Sequence, residues 1–203
     1  MARSSYHHGN LRQALVEATV RLIEENGPQA FTLAEAARLA GVSAAAPYRH
    51  FTGRDELLEE VARQGFEEFA DRLEAAYDDG RPSALSAFLH MGQEYLSFAA
   101  DRRGYYMAMF ESGISIAGNA GLSQASERAR GVLVRAAGGL FDKLPAGRRP
   151  PPGMVADHIW AMSHGVVELF SRGKPGGRAP ISPADMLERG ALIYLRGLGV
   201  IPD

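Results

Sequence analysis

The sequence predicts an all-α chain, an N-terminal three-helix head on a helical-bundle body, with about nine helices. Two observations point there. Apolar residues recur at spacings of three and four through most of the 203 residues, as on one face of a helix, and no alternating run bounded by turns competes for a strand. The interruptions are glycine and proline clusters set where a helix would stop.

Leu11, Leu15, Ala18 and Leu22 follow one another at helical spacing, and Asn26-Gly27-Pro28 ends the pattern, so a first helix is expected over 10–26. Thr32-Leu33-Ala34-Glu35 has the form of a capping box, in which the threonine hydroxyl accepts from the Glu35 amide and the glutamate reaches back. It opens a second helix over 33–40. Gly41 permits a left-handed turn and Ser43 can cap a short third helix over 44–50. Leu58, Ala62, Gly65, Phe69, Leu73 and Ala76 mark the longest helix, over 54–78, which Gly80-Arg81-Pro82 breaks. Five more are expected over 83–99, 101–110, 123–144, 154–172 and 183–198, separated by a glycine-rich link at 113–121 and loops at 145–153 and 174–182. The division implied is 1–52 for the head and 53–203 for the body.

Composition narrows the function. With no cysteine, disulfides, zinc–cysteine sites and thiol catalysis are excluded. The first residues lack the apolar stretch of a secretory signal, and no segment offers the eighteen uninterrupted apolar residues of a membrane span, so a soluble, cytoplasmic protein is expected. The net charge of −2 does not advertise a polyanion partner, but its distribution is uneven. Residues 1–52 carry Arg3, Arg12, Arg21, Arg38 and Arg49 against Glu17, Glu24, Glu25 and Glu35; residues 53–80 carry ten acids against three arginines.

A helix-turn-helix needs a small residue where its helices cross, a glycine in the turn, and an apolar residue beyond it. Ala37, Gly41 and Val42 supply these in order, and Tyr48-Arg49-His50-Phe51, Arg54 and Leu57-Leu58 continue the pattern. From Phe31-Thr32-Leu33-Ala34-Glu35-Ala36-Ala37 through Gly41-Val42-Ser43 to Tyr48-Arg49-His50-Phe51, the sequence resembles the TetR family of bacterial transcriptional repressors. The motif evidence covers about residues 9–60. Trp160 and His164-Gly165 are similar to a Trp-His-Gly pattern in one branch of that family. The resemblance implies a homodimer that reads a palindromic operator in double-stranded DNA, and a small-molecule effector, of unknown identity, that binds the body and releases it. The protein is then a ligand-responsive regulator, and a repressor.

Tyr48, His50 and Thr32 can donate to phosphate oxygens, and Arg54 stands where the family usually has a lysine, so a phosphate contact is expected there too. The structural alternative is that Tyr48 and Phe51 staple the third helix to the first, which is the preferred role for Phe51. Ser43, Ala44, Ala45, Ala46 and Pro47 offer few hydrogen-bonding side chains; their methyl groups suit thymine methyls, while Arg49 can supply a polar base contact. Arg3 and the His7-His8 arm can reach a minor groove or phosphates.

Catalytic motifs are missing: there is no Gly-x-Ser-x-Gly, no phosphate-cradling glycine loop and no His-Glu-x-x-His. His90 and Glu94, four apart, are either two metal ligands without a visible third or an ordinary surface pair. No enzyme activity, metal or cofactor is expected. The rival function is a helical ligand-binding or protein-interaction module whose head no longer binds DNA, which the alanine-rich third helix and weak basic charge favour.

In the body, the 154–172 helix is apolar nearly all round, with Ile159, Met162, Val166, Leu169 and Phe170, and so needs cover on both sides. With Leu187, Ala191, Tyr194, Leu195 and Leu198 of the last helix it can form a four-helix dimer interface, where Gly165 would allow a close crossing. Phe88, Met91, Tyr95, Tyr106, Met107, Phe110, Trp160 and His164 either line the effector cavity or are plain core.

Overall fold

Local chemistry sets the helix ends. In the computed structural model, which describes residues 11–142, 144–171 and 181–202, the first helix α1 is Leu11–Asn26 and the second, α2, is Leu33–Leu39. Arg3, His7, His8 and most of the 174–182 loop lie outside the described residues. The capping box is formed: Thr32 Oγ1 accepts from the Glu35 amide at 3.2 Å, and the Thr32 amide donates to Glu35 Oε2 at 2.9 Å. At the other end Gly41 takes φ +73°, the Val42 amide donates to Ala37 O and the Gly41 amide to Arg38 O, closing the helix with a left-handed turn.

The expected third helix over 44–50 is not an α-helix. Ser43 to Ala46 make one turn, and Pro47–Arg49 form a 3-10 helix with His50 and Phe51 both donating to Pro47 O. The cause is Pro47, which has no N–H to donate to Ser43 O, so the i to i−4 ladder cannot start here. The capping role expected of Ser43 is also not seen, because Ala46 precedes the 3-10 helix without a side-chain cap.

Six further helices match the expected pattern: α3 Arg54–Tyr77, α4 Ala84–Asp101, α5 Arg103–Phe110, α6 Ala120–Leu140, α7 Pro152–Ser171 and α8 Pro183–Gly197. Eight α-helices, four short 3-10 segments and no strand make up the described residues. None of these helices is long and apolar enough to cross a membrane.

Contacts divide the chain into two units, residues up to Phe66 with Arg102–Ser126, and Glu67–Asp101 with residues from Glu127 onward. In the first, α1 packs on α2 and α5. The α1–α5 approach is close enough that a Cβ on Gly104 would lie 2.6 Å from Val20 O, while the Gly104 amide donates to Glu24 Oε1 at 3.1 Å. Leu15, Leu22, Ile23, Phe31, Leu57, Leu58 and Phe66 fill the interior.

In the second unit α4 packs on α7 and α8. Phe69, buried, meets the rings of Phe98 at 4.9 Å, Tyr95 at 5.2 Å and Trp160 at 6.0 Å between centroids. Ion pairs bind the surface: Arg128 with Asp71, Arg135 with Glu74, Arg72 with Glu94 and Asp101, and Arg130 with Asp157 at 2.7 Å. Of the acidic stretch at 53–80, Asp71 and Glu74 take part in these pairs. Two details of the body depart from expectation. Leu187, Ala191 and Leu195 belong to the chain's own core, and Gly165 faces open space, the tight crossing being at Gly190, where a Cβ would meet Met162 Sδ at 2.9 Å.

Candidate nucleic-acid interface

The segment after Gly41 turns most of its side chains outward: Ser43, Ala44, Ala45, Tyr48, Arg49 and His50 are exposed, Tyr48 by 64%. Ala46 is half-buried. Pro47, expected on the reading surface, is buried, because the residue that interrupts the helix also turns its ring inward. Phe51 is buried as a staple, in keeping with its structural role, whereas Tyr48 is not.

Thr32 and Arg54 have partners within the unit. The Thr32 hydroxyl donates to Glu35 Oε2 at 2.8 Å. Arg54 is a clasp: its guanidinium donates to Phe31 O at 3.2 Å, to Pro28 O, and to Asp55 at 2.9 Å, and lies 4.7 Å over the Phe31 ring. Gln29, beside it, donates to Ser112 O. The loop between α1 and α2 is thus fastened to the start of α3 and to the chain after α5.

Sequence reasoning missed Glu60. It is the only acidic or basic side chain buried among the described residues, 7% exposed, and it faces two arginines. Arg12 donates to it at 3.0 and 3.2 Å, Arg63 at 2.8 and 2.9 Å, and Gln64 at 2.8 Å. Burial pushes its carboxyl up, but hydrogen bonds from Arg63 and Gln64 and the charges of Arg63 and Arg12 outweigh this and hold it below the usual carboxylate range. The signal was available: an acid set among Leu57, Leu58, Val61 and Ala62 on the core face of a helix must find a cation.

Residues 15–61 match the family model described as bacterial regulatory proteins, tetR family, and residues 88–192, just over half of the chain, match a tetracyclin repressor-like C-terminal domain. The chain belongs to the TetR family. The C-terminal match extends over Trp160 and His164-Gly165 without naming a branch of the family. A relative, the HTH-type transcriptional regulator BetI of Rhizobium meliloti, is 29% identical over 140 residues, which span 68% of this chain and 64% of BetI. Among solved structures, a protein of unknown function from Rhodococcus sp. RHA1 is 27% identical with a TM-score of 0.79, covering 96% of this chain and 98% of that one. The TetR-family regulator PfmR from Thermus thermophilus shares the fold, with a TM-score of 0.65 at 17% identity over 90% of this chain and 97% of its own. The TetR family is one of regulatory proteins, not of enzymes.

The eight residues expected around an effector fall in both units of this TetR-family chain. Tyr106, Met107 and Phe110 belong to the first, where Phe110 packs its ring 4.9 Å from Tyr106 and 5.5 Å from Phe66. Phe88, Met91, Tyr95, Trp160 and His164 belong to the second, and of these Phe88, Met91 and Tyr95 are buried. A cleft in the second unit beside Phe88, Ile159 and Leu187 holds about 20 Å³, room for a water rather than a ligand. An open groove of about 490 Å³ along Asp78, Arg81, His90 and Glu94 involves none of the eight. Glu94 pairs there with Arg72, so its carboxylate is engaged by an arginine of α3.

Proposed function

We propose that the chain is a ligand-responsive transcriptional repressor of the cytoplasm, binding a palindromic operator as a homodimer, with 1–52 as the reading domain and 53–203 as the effector-binding and dimerisation domain. One observation carries it: in a chain of this family, a capped helix and a left-handed glycine turn deliver a short segment whose polar side chains are exposed. Tyr48 and His50 donate to phosphates, which sets register without reading sequence. Arg49 reaches a base edge, and the methyls of Ala44 and Ala45 approach thymine methyls. With so few polar readers, sequence preference rests also on DNA shape. Thr32 and Arg54 add phosphate contacts by sharing donors with their present partners.

Dimerisation is supported by the outward face of α7 and α8, where Leu169 is 65% and Ile193 68% exposed and Gly165 leaves space. Leu195 is no probe of that interface, since a charge there would disrupt the chain's own core; Ile193→Glu is, and yields monomers that stay folded in light scattering.

The deciding experiment selects duplexes from a random-sequence pool with the full chain and measures binding against salt. A palindromic duplex emerges, affinity falls steeply with salt, and Tyr48→Phe and His50→Ala weaken all sequences similarly. If no duplex is enriched, the chain is the helical ligand-binding or interaction module instead.

A further inference from the structure

Buried charge is expensive unless something uses it. Glu60 lies on α3 before the end of its second turn, and the same Arg12 guanidinium that it holds through an ion pair at 3.0 Å and a hydrogen bond at 3.2 Å lies 5.0 Å over the ring of Phe51. Phe51 is 1% exposed, and its amide donates to Pro47 O at 3.0 Å, the same oxygen on which the His50 amide closes the 3-10 helix. A continuous chain of contact therefore runs from the carboxylate on α3, through an arginine on α1, to the residue that anchors the reading segment. That segment needs an anchor. Because Pro47 prevents a regular helix, only short-range turns hold residues 44–50, and such turns define side-chain directions less firmly than an α-helix.

On the basis of the DNA-binding function proposed above, we propose that Glu60 is a positioning residue for sequence discrimination, acting through Arg12 and Phe51 to fix the directions of Tyr48, Arg49 and His50. Arg63 and Gln64 complete the cage, so the carboxylate is held by α3's own next turn while it holds Arg12. Arg12 is 46% exposed, which lets its removal leave the core intact. A flat guanidinium both pairs bidentately and stacks; an ammonium does neither. The acid and the arginine thus act on which DNA is bound, not on how strongly phosphate is attracted.

The experiment uses the full chain, a duplex that the unmodified protein enriches from a random pool, and a scrambled duplex of the same composition. Arg12→Gln, Glu60→Gln and Arg12→Lys are compared well below their melting temperatures. Expected is a loss of preference for the enriched duplex of about ten- to a hundredfold, as when one base contact is lost, with the affinity for scrambled DNA after Arg12→Lys little changed. If Glu60→Gln does not fold, the two Arg12 variants decide. An unchanged preference overturns the proposal, and so does full preference in Arg12→Lys. A parallel loss on both duplexes with a salt slope lower by about one would make Arg12 a simple phosphate contact, and overturns it also. Failure of the unmodified protein to enrich any duplex is a separate result, and removes the DNA-binding function itself.

Discussion

In the unit containing α1, α2 and α5, distant segments meet through directed polar contacts: Arg54 on two backbone carbonyls, Gln29 on Ser112, Glu24 on the Gly104 amide, Asn119 on Glu59 at 2.7 Å, and buried Glu60 among its cations. In the unit containing α4, α7 and α8, rings stack around Phe69 inside, the Arg72–Glu94 pair is half-buried, and the pairs of Arg128 with Asp71 and Arg135 with Glu74 lie at the surface. Directional contacts hold one arrangement and fail sharply when a partner is removed. Apolar area and screened charges tolerate change at the surface and depend on volume inside. Under the proposed function, the described part of the reading segment, up to residue 52, falls wholly in the unit with the first kind of order.

The largest effect should come from the ring cluster. Phe69→Ala removes the residue shared by Tyr95, Phe98 and Trp160, and is expected to lower stability by about 3–5 kcal/mol, read in a denaturant melt. A loss under about 1 kcal/mol would mean that the second unit does not depend on internal volume, and the contrast would fail. Next is Gly104→Ala, whose new methyl meets a backbone oxygen rather than a movable side-chain tip; a loss of about 1–3 kcal/mol is expected despite alanine's better helix propensity. Unchanged stability would show that the α1–α5 contact yields.

Acid sharpens the same contrast. Because the folded Glu60 carboxyl lies below its ordinary value near 4.5, its contribution is complete above that value and is lost as pH falls through the lowered one. The melting difference between the unmodified chain and Glu60→Gln should therefore be full at about pH 7 and shrink below about pH 4. A difference constant across that range would mean the carboxylate's charge is not what matters. The smallest effect is expected of Arg135→Ala, which breaks an exposed pair with Glu74: under about 0.5 kcal/mol, vanishing in about 1 M salt. A larger, salt-resistant loss would place that pair with the directional contacts of the other unit.

What was legible in the sequence was what neighbours in the chain decide. Thr32 and Glu35 cap the helix they open, Gly41 makes the turn, and the apolar stripe Leu58, Ala62, Phe69 and Leu73 is buried as its spacing implied. Pro47 stands inside the stretch 44–50, and its missing N–H already argues against a regular helix there. Contacts across the chain were not legible. Nothing near Arg54 announces that its guanidinium closes on Pro28 and Phe31, and nothing near Tyr106 or Phe110 says that they belong with α1. Gly165 and Gly190 look alike in sequence; only the facing Met162 distinguishes them.

The Gly104 contact has a bearing on how the chain is made. A protein leaves the ribosome from its N-terminus, and α1 and α2 emerge well before α5, which covers Val20 and Glu24. The first unit is completed only when residue 126 is out, about sixty residues after Phe66, or roughly 3–12 s later at ordinary elongation rates. Through that interval the α1 surface destined for α5 stands open to solvent and to whatever chaperone attends the exit. A pause of the ribosome after α2 has emerged and before Ser126 has would prolong that exposure, and a pause after Ser126 has emerged would not.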